Sequence, residues 1–219
     1  MELGYWPFRG IATPVRLALE YAGVEYVERR FPNKAAWHAH RDGTLVASGV
    51  MPFPSLPYLL VDGKTGVSQS RVIVRFLADR YGFGGKSETE RTAAAMVQEE
   101  AADLFVGFRK WAFGPPGPAG DALTAEVLGG VVATHMDRLE AFLGDKPWVA
   151  GGADPTYADL ILYDTVEQMW AMDGSLKERY PKLTALHERV GALPRVAAYV
   201  ARTEGDKAYI ARPFTPGKL

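Results

Sequence analysis

Residues 55–82 read SLPYLLVDGKTGVSQSRVIVRFLADRYG. "PYLLV" and "KTGVS" are two short strand-like runs around Asp62-Gly63, a dipeptide that favours a tight hairpin turn. A helical pattern then covers residues 71–81 and stops at Gly82. Upstream, "ELGYW" is strand-like, and "TPVRLALEYAG" reads as a helix. Thr13 is its expected N-cap, Pro14 suits its first turn, and Val15, Leu17, Leu19 and Ala22 supply apolar positions before Gly23. "VEYVERRF" alternates like a strand, and residues 32–52 read as irregular. The order is βαβ followed by ββα. Such a chain builds one parallel strand pair and adds an antiparallel hairpin.

Beyond about residue 83 the strand signals vanish. Residues 87–113 form one long helical pattern, opened by Ser87 with Glu90 three positions on, a capping box. "PPGPAG" (115–120) breaks it, and 121–143 reads as a second helix. "DPTYADLILYDTVEQMW" reads as a third, with Thr156 and Asp159 as another capping box. Pro181 and Pro194 punctuate two shorter helices, and the tail 205–219 has no period. The expected organisation is an α/β domain (1–82), a linker (83–87) and an all-helical domain (88–219).

The chemistry has bounds. The 219 residues include 25 basic and 26 acidic ones, which gives no electrostatic case for nucleic acid or an anionic membrane. No apolar run is long enough to span a bilayer, and "MELGYWPFRG" shows no signal or transit peptide. A cytoplasmic protein is the expectation. With no cysteine there is no disulfide, thiolate-metal site or cysteine nucleophile, and four scattered His have no metal-ligand spacing.

Three features can carry function, and each has an ordinary alternative. The Leu56-Pro57 bond is either a trans Pro starting an edge strand or a cis bond. A cis bond would turn the Leu56 backbone outward to pair with an extended peptide. Ser70 is either a plain N-cap or, with Gln69, part of a carboxylate site at a helix mouth, where free N–H groups and the dipole attract anions. Tyr5 is either a core aromatic or a phenol aimed at a ligand.

Together "LGYWPFRG" and "RLALEY", "FPSLPYLLVDG", "SQSRVIVRFLADRYG", "PTYADLILYD" and "ARPF" resemble a cytosolic glutathione transferase, with the opening motif and "FPSLPYL" most similar to the mu class. The resemblance runs nearly end to end. It implies a thioredoxin-like N-terminal domain (βαβ-ββα), a helical-bundle C-terminal domain, a homodimer, and glutathione as co-substrate with no further cofactor and no metal. By the family's pattern, Gln69 and Ser70 receive the γ-glutamyl carboxylate, and Leu56, before a cis Pro57, pairs with the cysteinyl unit. Tyr5 is the position implied to donate a hydrogen bond to the glutathione sulfur. Trp6 belongs with the glutathione set, and Trp37 and Arg41 have the spacing of the pair that meets the glycyl carboxylate. Asp103 matches the acid reaching the γ-glutamyl ammonium across the dimer, and Phe53 the aromatic that plugs the partner subunit.

The electrophile pocket implied by the resemblance uses Phe8 and Ile11 from the first loop, with Val106, Arg109 and Phe113 from the long helix. Phe113 stands where the class often carries a second tyrosine, and a Phe cannot donate to a developing oxyanion. Arg109 is unusual in an apolar pocket: it favours anionic electrophiles or points to solvent. The expected activity is conjugation of the glutathione thiolate to small hydrophobic electrophiles. The rivals are a carrier of hydrophobic ligands on the same fold and a glutathione-dependent isomerase.

Overall fold

The computed structural model describes residues 1–203. The expected tail, with "ARPF", lies outside the described residues. Strand β1 (Glu2–Tyr5) pairs in parallel with β2 (Val27–Arg30), the two being joined through helix α1 (Thr13–Ala22). On its other side β1 pairs antiparallel with β3 (Tyr58–Val61), which turns at Asp62-Gly63 into β4 (Thr65–Ser68). The sheet order is β2-β1-β3-β4, with the parallel pair and the antiparallel hairpin expected from βαβ-ββα. Helix α3 (Ser70–Tyr81) packs beside α1, so this first unit has the expected thioredoxin-like arrangement.

Helices fill the rest of the described chain: α4 (Glu88–Ala112), α5 (Pro118–Val127), α6 (Ala133–Leu143), α7 (Tyr157–Met172), the single turn α8 (Leu176–Arg179), α9 (Pro181–Gly191) and α10 (Pro194–Arg202). The α7 helix is the axis of this unit, with most of its residues buried. Its capping box is present: Asp159 accepts from the backbone N–H of Thr156 at 2.7 Å and from that of Val149 at 2.8 Å. One hydrophobic core runs from Leu3, Leu17 and Leu59 through Ile73 and Leu77 into Leu104, Leu139, Leu160 and Leu183, so the two units share an interior. Phe83, just after α3, is buried in that core, and its carbonyl accepts from Tyr157 N–H at 3.1 Å.

Four local expectations change. Residues 32–52 are not irregular: α2 (Lys34–His40) runs into a π-helical turn, Arg41–Val46. Asn33 caps α2 by accepting from Ala36 N–H at 2.9 Å, and Trp37 and Leu45 anchor it in a second cluster with Phe31, Met51 and Tyr58. Gly43 and the polar run around it hide this helix from a search for apolar period. Thr13 is not an N-cap but the first residue of α1, because a 3-10 turn (Gly10–Ala12) already delivers the chain in helical geometry. Ser70 likewise opens α3, and Gln69 occupies the cap position with φ 69° and no side-chain cap bond. The helix expected over 121–143 starts at Pro118, and a π-helical turn at Leu128–Val132 divides it.

Candidate active site

Tyr5 ends β1 and is almost fully buried. The chain then loops over it. Phe8 meets the Tyr5 ring edge-on, with centroids 5.5 Å apart at 84°. Gly10 takes φ 46° and lies so close that a Cβ there would sit 2.6 Å from the Tyr5 hydroxyl. Below the loop, Arg16 of α1 donates through Nη1 to the carbonyls of Phe8 (3.1 Å) and Arg9 (2.8 Å) and through Nε to Glu28 (2.7 Å). Its guanidinium lies 5.7 Å from the Tyr5 ring centroid. The Tyr5 ring is thus packed by Phe8 and Arg16, with the Gly10 backbone close to its hydroxyl.

The Leu56-Pro57 bond is cis, the rarer of its two alternatives. At the far end of the same hairpin, Gln69 holds a left-handed φ, a conformation costly for a side-chain-bearing residue outside glycine, Asn and Asp. Gln69 and Ser70 then line a cleft of about 650 Å³ between the two units. Ile11, Val106 and Arg109 line the same cleft, so five of the expected site residues come together there. Its other walls are Phe105 of α4 and Ile161, Asp164, Thr165 and Gln168 of α7.

The remaining expected residues do not line this cleft, and Phe8 instead borders a smaller cavity with Arg9, Arg16, Tyr163 and Tyr199. Trp6 and Leu56 pack on the cluster that contains Trp37, so these three gather on one side of the sheet. Trp37 is buried and stacked on Tyr58, with centroids 6.0 Å apart at 24°. Arg41 grips the carboxylate of its own neighbour Asp42 at 2.7 and 3.1 Å. Phe113 caps the C-terminus of α4 and is half exposed. Asp103 is exposed on α4 and lines a separate shallow depression with Arg75, Arg91, Met96, Glu99 and Glu100. Phe53, 74% exposed, stands out of the loop before Pro57.

The polar residues of the cleft floor escape any reading of the sequence alone. Asp164 is buried, and burial pushes its carboxyl up to about 7, with Arg9 opposing that shift and Glu167 adding to it. Gln168 donates to its Oδ2 at 2.7 Å. The nearest signal in the sequence is the acidic pair in "YDTVEQ", three residues apart on one helix face.

Family models described as "Glutathione S-transferase, N-terminal domain" and "Glutathione S-transferase, C-terminal domain" match residues 1–79 and 102–203. The chain is 31% identical over 202 residues to rabbit (Oryctolagus cuniculus) Glutathione S-transferase Mu 1, covering 91% of this chain and 90% of that one. The chain belongs to the glutathione S-transferase family. Within that family it is also 31% identical over 216 residues to Glutathione S-transferase Mu 1 of Mus musculus, covering 98% of this chain and 94% of the relative. The solved Pi-class glutathione S-transferase of Onchocerca volvulus superposes with a TM-score of 0.80 over 94% of each chain at 23% identity, a likeness of fold. Among the described residues of this glutathione S-transferase family member, no helix is long and apolar enough to cross a membrane.

Proposed function

We propose that the chain conjugates the thiolate of glutathione to small hydrophobic electrophiles, with Tyr5 donating its hydroxyl hydrogen bond to the sulfur. The observation that carries this reading is the buried Tyr5, its hydroxyl close to the Gly10 backbone, at the end of the sheet that also presents the cis Leu56-Pro57 bond. The peptide backbone of glutathione runs along Leu56, and its γ-glutamyl carboxylate meets Gln69 and Ser70 at the mouth of α3. A free thiol of this kind titrates near 8.5, and lowering that by about 2 units takes about 3 kcal/mol. One hydrogen bond to the sulfur anion supplies about 1.5–3 kcal/mol, and the helix dipole up to about 1 kcal/mol more. Phenol and dipole together are sufficient, so no protein thiol is needed. The rest of the acceleration is proximity: the electrophile sits against Phe8, Ile11, Val106, Arg109 and Phe113, within reach of the bound sulfur.

The same reading makes the protein a cytoplasmic homodimer. Phe53, prominent on the surface, plugs the partner, and Asp103 reaches the γ-glutamyl ammonium bound to the other subunit. Trp6 and Trp37 border the glutathione site, and Arg41 meets the glycyl carboxylate by exchanging Asp42 for it. The electrophile site belongs to a helical domain that begins after a linker at 83–87.

The test is a pH titration of the bound glutathione thiolate by ultraviolet difference absorbance. The unmodified protein is expected to show a thiol pKa about 2 units below the free value, and Tyr5→Phe a value close to the free one. Glutathione bound at an unshifted pKa would favour the carrier reading.

A further inference from the structure

The loop that covers Tyr5 is pinned from both units of the molecule. From the first unit, Arg16 holds the carbonyls of Phe8 and Arg9. From the second, the Arg9 side chain reaches across to α7, where its Nη2 lies 3.2 Å from Asp164 Oδ1 and 2.5 Å from Glu167 Oε2. Both carboxylates and the guanidinium are largely removed from solvent, with side-chain exposures of 13% for Arg9, 5% for Asp164 and 24% for Glu167. Gln168 occupies the other Asp164 oxygen, so the acid has no freedom to turn away.

A partnership of this kind is a poor way to gain net stability, because desolvation offsets much of the attraction. What it supplies is geometry: a forked cation between two acids fixes the place of the residue that carries it. That residue here is the immediate neighbour of Gly10, where an added Cβ would lie 2.6 Å from the Tyr5 hydroxyl.

We propose that Arg9, Asp164 and Glu167 form an interdomain clasp whose task is to position the Phe8–Gly10 loop over Tyr5, so that the helical unit sets the geometry in which the thiol is activated. All three are positioning residues. The inference rests on the transferase reading for the identity of the activated group, but the clasp itself is a property of the protein without ligand.

Asp164→Asn tests it, because two accounts of that substitution differ in sign. Where Asp164 is ionised, above about pH 7, removing its negative charge lowers a nearby anion's conjugate pKa by simple electrostatics. Loosening the loop weakens the hydrogen bond to the sulfur and raises it. The clasp therefore predicts a bound-glutathione pKa raised by about half a unit or more, which is about threefold less thiolate at a pH below both values. It also predicts a lower kcat with glutathione KM within about twofold, since the binding groups on the hairpin and α3 are untouched. A pKa that is lowered or unchanged overturns the proposal. Glu167→Gln carries the same expectation and replaces Asp164→Asn if that variant fails to fold. Amide hydrogen exchange over residues 6–10, measured without glutathione, separates this inference from the transferase reading. Faster exchange in the variant supports the clasp even if the unmodified protein binds no glutathione, whereas unchanged exchange overturns it in either case.

Discussion

Replacing Gly10 with alanine is the sharpest test of how the site is held. The residue has φ 46°, and a Cβ there would lie 2.6 Å from the Tyr5 hydroxyl, 2.9 Å from Tyr5 Cε1 and 3.0 Å from Phe8 Cε2. Two costs follow. An L-residue in the left-handed region loses about 1–2 kcal/mol. For a chain of this size that corresponds to a melting temperature lower by about 2–8 °C. The steric cost falls on function. The Tyr5 hydroxyl must retreat by roughly 1 Å to restore an ordinary contact distance. Hydrogen bonds weaken steeply outside their optimal geometry, so much of the roughly 1.5–3 kcal/mol donated to the thiolate is forfeited. The bound thiol pKa is then expected to rise by about 1–2 units, and kcat/KM at neutral pH to fall about tenfold or more. Glutathione KM should change little, because Leu56, Gln69 and Ser70 lie outside this contact. A thermal melt, the thiol titration and steady-state kinetics read the three effects separately. Gly10→Ala protein that melts lower yet keeps an unshifted thiol pKa would refute the role given to the Tyr5 hydroxyl. Unchanged melting would refute the packing argument itself.

Three further outcomes are expected. Asp159→Ala leaves the buried N–H groups of Val149 and Thr156 without their acceptor, so stability should fall by about 3 kcal/mol, seen as a melting temperature lower by about 6–12 °C. A drop of only a degree or so would show that water or other groups replace the carboxylate. The second concerns pH. Asp164 faces Arg9 on the loop, Arg16 on α1, Glu167 on its own helix and Tyr199 on α10, and its carboxyl is raised from 3.8 to about 7. The folded state thus holds a proton that the unfolded chain has released, so this stabilisation is present below the ordinary carboxylate range and is lost as pH rises through about 7. Asp164→Asn should therefore gain melting temperature relative to the unmodified protein as pH rises from about 4 to about 7, whereas a difference independent of pH would remove the shift. Phe53→Ser, at a position 74% exposed, should leave the protomer folded but weaken the dimer in sedimentation, and an undiminished dimer would take Phe53 out of the interface.

What was legible in the sequence is what neighbouring residues decide between themselves. Asp62-Gly63 between two strand-like runs is a strong local hairpin signal, and Asp159 three places after Thr156 forms a capping box that local sequence marks. The order of strands and helices followed from such signals, and with it the mixed sheet. Local signals misled where the chain arrived already shaped, as the 3-10 turn delivers Thr13 into α1, and where burial replaced period, as Trp37 and Leu45 hold α2 and its π-helical turn.

The site divides in the same way. Tyr5, Gln69 and Ser70 stood out as candidates at a strand end and a helix mouth, but local chemistry left each with an ordinary alternative, and only the family resemblance chose between them. By itself the sequence determined most of the elements and the absence of a protein thiol, and its resemblance to the family pointed to the residues proposed to meet glutathione. Only the tertiary structure decided that Leu56-Pro57 is cis, that a side chain at Gly10 would meet the Tyr5 hydroxyl, and that Arg9 pairs with acids 155 and 158 residues away. The physical reason is range: a turn or a cap is an affair of about four residues, whereas a buried ion pair between two units exists only once their shared core has brought them together.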